Sequence, residues 1–447
     1  MGGSRRWSAR RVCGIISATA VGLVTLTMAS PAGPAGAAAS PAAPATDPFY
    51  LPPANLASTT PGTVLRQRSV SLAFYGYFPE SVRAWQVLYR TTDTQGNPEA
   101  TVATILEPSG AAISRRPLVS YQVAEDSLGP QCAPSYEFQE GAQSTNSVEQ
   151  TELFLIDALL EQGWAVVVPD YEGPDSAYVA GVQAGQAVLD GIQAAEQFAP
   201  DGLNEQTRVG MWGYSGGALA TTWAAELQPT YAPGIDLVGT AAGGVPVNVA
   251  HIARKINGGP FAGYYLAGMV GLSRAYPQLA TLLGTILTPA GKAAAAEVGT
   301  ECNSTIVSNF AFKNINQYTN VTDPLAQPVA KEVITADTLG QHRPAGPLYV
   351  YEAVPDELIP IADVDGLMAK YCAEHVVVDY QRNELSEHLT LVGTGAFAAL
   401  HWLEGRFAGE AAPDTCATGG TTSVSTLITP TSLTTFLAYA AKLPSLF

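Results

Sequence analysis

Residues 213–217 read Gly-Tyr-Ser-Gly-Gly, between an apolar run from Thr207 to Trp212 and an Ala-rich run from Ala218 to Leu227. The first run reads as a strand and the second as a helix. A chain that turns this sharply from strand into helix puts Ser215 in a strained, exposed conformation. Gly213, Gly216 and Gly217 leave room for the turn around Tyr214 and Ser215. Such a nucleophile elbow suits covalent attack by a hydroxyl. The bare G-x-S-x-G pattern carries little in a chain with 43 glycines. Its strand-then-helix setting separates it from a glycine loop whose serine merely caps a helix.

A serine hydroxyl is a weak nucleophile at neutral pH, so Ser215 requires a base to take its proton and a carboxylate to orient that base. On a scaffold of this kind the chain order is Ser, then Asp or Glu, then His. His251 and His342 lie in or beside a helical stretch, His375 opens a strand, and His401 falls within the closing helix. His388 stands in a polar connection, Asn383 to His388, between the last strand and that helix. It is therefore the expected base. Asp356 follows the strand Leu348 to Ala353 after a short turn and would share a rim with the elbow, which makes it the expected orienting acid. Glu357 is its nearest competitor, and Asp363 and Asp365 read as first-turn acids of a helix.

A tetrahedral intermediate at Ser215 also needs donors for its oxyanion. The backbone N–H of Gly216 is one, and the loop after the Pro117 to Val123 strand should supply another, with Asp126 as the candidate through its main-chain N–H.

The elements that must position these residues follow an alternating rhythm. A hairpin is expected from Ala84 to Thr92 and Thr101 to Glu107, turning at Asp93 to Pro98. Strands over Pro117 to Val123, Trp164 to Asp170, Thr207 to Trp212 and Asp236 to Gly244 alternate with helices over Val148 to Gln162 and Ala180 to Phe198. This argues for an α/β fold with a mostly parallel sheet covered on both faces. Residues 248–340 break the rhythm with helix-favouring apolar stretches, Ala262 to Leu272 and Tyr276 to Leu287 among them. A helical insertion there would cap the carboxyl edge of the sheet, where such folds bind ligands, and would suit an apolar substrate. Strands return at Pro347 to Ala353 and Val376 to Tyr380, before a closing helix from Ala396 to Phe407. The Thr- and Ser-rich tail beyond Cys416 carries no element signal.

The expected organisation is thus a leader over 1–37, an extended lead-in over 38–62, a core over 63–247, the cap over 248–340, and a second core part with the tail over 341–447. The leader assignment rests on Arg5, Arg6, Arg10 and Arg11 preceding an uncharged run from Val12 to Ser30 and on A-x-A-like sites such as Ala35-Gly36-Ala37, a pattern for export. With 39 acidic against 22 basic side chains the chain is a poor partner for nucleic acid or anionic surfaces. Without Cys13, four cysteines remain: Cys132, Cys302, Cys372 and Cys416. In an exported chain they favour two disulfides, with three pairings open. Their spacing speaks against a metal site, and no cofactor or stable protein partner is implied.

Three separated motifs carry a resemblance: Gly213 to Ala218, Ala124 to Ser127 leading into Cys132 to Tyr136, and Pro355 to Pro360. With these the chain resembles the secretory lipases, a group that includes fungal lipase A of the Candida antarctica type and its actinobacterial relatives. The resemblance runs from about residue 50 to about residue 416. It implies an α/β-hydrolase with a helical lid between the Ser and Asp strands. It also implies a triad of Ser215, Asp356 and His388, an oxyanion hole from Asp126 and Gly216, and disulfides Cys132–Cys302 and Cys372–Cys416. The fungal C-terminal flap has no match in Gly419 to Phe447, so acyl-chain preference does not carry over. The function expected is a secreted serine lipase or esterase that cleaves carboxylic esters, acylglycerols foremost, at an oil–water interface. A carboxylesterase for short soluble esters and a non-catalytic lipid-binding protein are the alternatives.

Overall fold

The computed structural model describes residues 40–109, 116–143, 148–198 and 202–440. The leader expected over 1–37 lies outside them.

Ten strands form one sheet: β1 (Val64–Val70), β2 (Val82–Thr92), β3 (Pro98–Pro108), β4 (Leu118–Gln122), β5 (Ala165–Pro169), β6 (Arg208–Tyr214), β7 (Asp236–Gly243), β8 (Leu348–Ala353), β9 (Val378–Asn383) and β10 (Thr422–Val424). Their order across the sheet is β1-β2-β3-β5-β4-β6-β7-β8-β9-β10. The first three pairings from the β1 edge are antiparallel and the remainder parallel. β4 and β5 are buried along their whole length. Period-two alternation divides their side chains between the two faces. Val167 packs with Val209 and Met211 against α2 (Gly181–Glu196) and α3 (Gly216–Tyr231). Val166 and Val168 pack with Trp212 against α1 (Val148–Glu161) and α11 (His388–Ala408) on the other side. Strands covered on both faces read as unbroken apolar runs, which makes them legible in the sequence.

The chain leaves β4 toward β5 on one side and returns to β6 on the other. The order therefore reverses at β4, and a crevice opens beyond the carboxyl ends of β4 and β6. Six helices lie between β7 and β8 above this edge: α4 (Val249–Ile256), α5 (Ala262–Ala275), α6 (Pro277–Ile286), α7 (Pro289–Val298), α8 (Asn303–Phe310) and α9 (Pro328–Ala336). After β8 come α10 (Ile361–Ala373), β9 and α11. The disulfides are Cys132–Cys302 and Cys372–Cys416, with Cα atoms 5.5 and 5.3 Å apart. Among the described residues no helix is long and apolar enough to cross a membrane.

Several elements differ from expectation. The closing helix begins at His388, not Ala396, because carboxylates cap it early while Thr390, Val392, Gly393 and Gly395 disguise its helical character. The tail is structured: β10 extends the parallel sheet, and α12 (Pro430–Ala440) packs on α11, where Phe397 and Phe436 meet with ring centroids 5.0 Å apart. β1 pairs along β2 although its charged and polar residues, Arg66, Gln67, Arg68 and Ser69, mask it as a strand. The lead-in makes two short 3-10 turns, at Pro48–Tyr50 and Leu56–Ser58. Phe49, Tyr50 and Leu56 there cover Leu88, Ala100 and Val102.

Candidate active site

Ser215 terminates β6 and caps α3 with φ 53° and ψ −121°, a backbone conformation costly for any residue with a Cβ. Its N–H donates to the carbonyl of Gly243 at 2.9 Å, and its own carbonyl accepts from Leu219 at 3.0 Å. The turn is tight enough that a Cβ on Gly217 would lie 1.9 Å from the carbonyl oxygen of Gln122. Gly213 lies in β6 just before its last residue, Tyr214, whose hydroxyl donates to the carbonyl of His388 at 2.6 Å.

His388 is the first residue of α11, not part of a free connection. Its N–H and that of Leu389, two of the unpaired donors at the helix start, donate to the Glu357 carboxylate at 2.7 and 3.3 Å. Glu357 is thus occupied as a cap, which removes it as the orienting acid. The buried imidazole places Nε2 2.8 Å from Ser215 Oγ and Nδ1 2.7 Å from Asp356 Oδ2. An ionised carboxylate only accepts, so Nδ1 carries the proton and Nε2 is left to accept from the serine. The other oxygen of Asp356 receives the N–H groups of Leu358 and Ile359, and its carbonyl receives Lys255 Nζ at 2.6 Å. Nothing in the sequence marks Lys255, in the last turn of α4, because a bond to a main-chain carbonyl leaves no imprint on its partner's side chain.

The other candidates lie elsewhere. His251 Nδ1 pairs with Asp363 at 2.9 Å, and His401 pairs with Glu404 at 3.1 Å on the outer face of α11. His375 occupies a positive-φ turn ahead of β9, not the strand itself, and the N–H of His342 donates to Glu226. Asp365 accepts from Tyr380 and pairs with Arg382.

Asp126 and Gly216 meet at the elbow. A Cβ on Gly216 would fall 2.1 Å from Asp126 Oδ1, so any larger residue there would displace the Asp126 carboxyl. Asp126 holds φ 42°. Among the described residues neither main-chain N–H donates to a protein acceptor, and both residues line one cleft with Ser215. Burial pushes the Asp126 carboxyl up to about 6, against the pull of His388. Below it lie further buried acids. Asp170 is pushed up to about 7 and Glu152 to about 8 by burial, while burial and then Glu172 and Asp170 drive Glu125 well above the usual carboxylate range.

The cleft, counted together with the solvent-open space at its mouth, measures about 970 Å3. Val249, Ile252 and Ile256 of α4, Met269 and Leu272 of α5, and Leu279, Leu283 and Ile286 of α6 form much of its wall. Apart from three tyrosines, its polar side chains are Ser215 and Asp126. Among the described residues no group of His, Cys, Asp and Glu could hold a metal ion.

A serine hydroxyl, an imidazole and a carboxylate in line at the carboxyl edge of a mostly parallel sheet, with the serine on a strand-to-helix elbow, define the α/β-hydrolase class. Comparison with known proteins narrows it. Residues 138–415 match the model of the secretory lipase family. A probable inactive lipase of Mycobacterium tuberculosis is 39% identical over 82% of this chain and 83% of its own length. Lipase A of Arthroderma benhamiae is 39% identical over 87% and 84%. The closed-state crystal structure of Candida antarctica lipase A superposes with a TM-score of 0.84 at 31% identity, covering 91% of this chain and 96% of the other. The chain belongs to the secretory lipase family.

Proposed function

We propose that this chain is an exported serine lipase that hydrolyses carboxylic esters, acylglycerols among them, through an acyl-Ser215 intermediate. The observation that carries the reading is the unbroken line from Ser215 Oγ through His388 to Asp356, ending in a cleft with two unpaired N–H groups. His388 takes the proton as Ser215 Oγ adds to the ester carbonyl, and Asp356 stabilises the imidazolium that forms. The oxyanion accepts from the N–H groups of Asp126 and Gly216. On collapse the alkoxide leaves with the proton from His388, and the acyl group stays on Ser215. Water then adds with His388 again as base, releasing the carboxylic acid and restoring the serine. The apolar wall of α4, α5 and α6 accommodates the acyl chain, and the cap over 248–340 acts as the lid. A leader-like start, two disulfides and membership of a secretory family support export.

The Mycobacterium relative named as inactive favours a second reading, a lipid-binding protein without turnover. The two separate on emulsified long-chain triacylglycerol and a short soluble p-nitrophenyl ester. The lipase reading predicts turnover of both, lowered roughly 10⁶-fold in Ser215→Ala. Hydrolysis of the soluble ester alone would make the chain a carboxylesterase, and lipid binding with no Ser215-dependent turnover would support the second reading.

A further inference from the structure

The loop carrying Asp126 is fastened from two sides. Toward the sheet, the N–H of Ala124 donates to Glu152 at 2.9 Å and that of Glu125 to the Val123 carbonyl at 2.8 Å. Toward the cap the fastening is denser. Leu128 and Gly129 both donate to the carbonyl of Glu301, at 3.0 and 3.2 Å. The N–H of Asn303 donates to Ser127 Oγ at 3.0 Å, and the Cys132–Cys302 disulfide closes over the same stretch.

Arg274, at the end of α5, completes this strap. Its Nη1 shares two N–H groups among the carbonyls of Leu128, Asp175 and Ser176, at 2.7, 2.7 and 3.0 Å. Its Nη2 donates to the carbonyl of Gly299 at 2.6 Å. One planar fork of donors therefore joins the Asp126 loop, the turn after β5 and the 299–303 segment. Asp126 needs such support, since a positive φ outside glycine persists only where the surroundings over-determine it. The Gly216 donor has no such dependence, because the elbow and the first turn of α3 set its position.

We infer that Arg274, with the 299–303 strap, is the positioning element for the Asp126 half of the oxyanion hole, so that the seating of the cap is felt in the chemical step and not only in substrate binding. This rests on the roles given above to Ser215 and Asp126. A guanidinium that merely stabilised the cap would alter thermal stability or KM and leave kcat alone.

The test compares Arg274→Ala, Arg274→Lys and the Cys132→Ala/Cys302→Ala double variant with wild type on a short soluble p-nitrophenyl ester. An alkylboronic acid, whose tetrahedral serine adduct occupies the oxyanion hole, is the second probe. Complete removal of an oxyanion donor costs about 10² to 10³ in kcat, so its displacement in Arg274→Ala should cost about 10- to 100-fold. KM should stay within about twofold of wild type, since the lost interaction belongs to the transition state. Boronate affinity should fall in parallel with kcat/KM, and millimolar guanidinium ion should restore part of kcat. Arg274→Lys should stay impaired, because one ammonium cannot span four carbonyls. The double variant should move the same way by less. Arg254→Ala, which removes a surface pair with Asp323 at 3.6 Å, should match wild type.

A folded Arg274→Ala with unchanged kcat and boronate affinity would overturn the inference. If that variant does not fold, unchanged kcat and boronate affinity in both Arg274→Lys and the double variant would overturn it equally. Turnover surviving in Ser215→Ala would instead overturn the serine mechanism itself, whatever Arg274 does.

Discussion

The carboxyl edge of the sheet and the cap face each other across one cleft and are built on opposite principles. At the edge, each triad side chain is held by directional bonds. Asp356 receives two backbone N–H groups, His388 is anchored at a helix start by Glu357, and Ser215 is locked into a strained turn. The cap helices α4, α5 and α6 present almost wholly apolar side chains to the cleft, and it is their packing that sets its volume, although Lys255 and Arg274 tie the same helices to carbonyls elsewhere. Hydrogen bonds fix angles and distances, as the proposed proton transfer requires, whereas packing fixes volume, as the proposed accommodation of an acyl chain requires. On the proposed function the difference teaches where each property can change: the chemistry is intolerant at the edge and along the Arg274 strap that reaches it, and chain-length preference is adjustable in the cap's apolar wall.

The largest effect should come from the edge. Ser215→Ala should abolish ester turnover yet leave the unfolding temperature within a few degrees of wild type, since the strained φ and not the hydroxyl shapes the elbow. Steady-state kinetics with calorimetry checks both. Asp356→Asn keeps an acceptor for Leu358 and Ile359 but turns the imidazole to the wrong tautomer, so kcat should fall about 10³- to 10⁴-fold with KM little changed. A cap substitution should behave otherwise. Leu283→Trp fills the cleft and should lower turnover of long-chain esters about tenfold or more relative to a short one, which a chain-length series measures. An equal loss on all chain lengths would dissolve the contrast between edge and cap.

The smallest effect concerns pH. Asp126, Asp170 and Glu152 have folded-state values raised to about 6, 7 and 8 by burial. In the unfolded chain they ionise near 4, so between about pH 4 and pH 8 the unfolded state binds fewer protons than the folded one. Stability is therefore fully present below about pH 4 for these groups and declines as pH rises through their folded values. Thermal unfolding should occur at a lower temperature at pH 8 than at pH 5. The reverse order would mean that these carboxyls are ionised and paired in the fold.

Much of the edge is readable in the sequence because its residue types are chemically constrained. A serine on a strand-to-helix turn, a carboxylate past a later strand and a histidine past the strand after that leave few alternatives in a chain with five histidines. The alternation of apolar strands and helices likewise exposes the sheet. The context of His388 is disguised, since Thr, Val and Gly residues hide the first two turns of α11, and its cap, Glu357, comes from a distant segment. The tail is opaque because a short edge strand of Thr, Ser and Val resembles a linker until β9 is beside it. Arg274 and Lys255 leave no trace, because they act on main-chain carbonyls that every residue possesses, and of the 299–303 strap only Cys302 shows in the sequence.

The central claim is that Ser215 is activated by His388 and Asp356, and it is tested most directly by intact-mass measurement after exposure to an alkyl fluorophosphonate. Wild type should gain one phosphonyl adduct, mapped to Ser215, while Ser215→Ala gains none and Asp356→Asn reacts far more slowly. Folded wild-type protein that stays unmodified, or an adduct that persists in Ser215→Ala, would contradict the account.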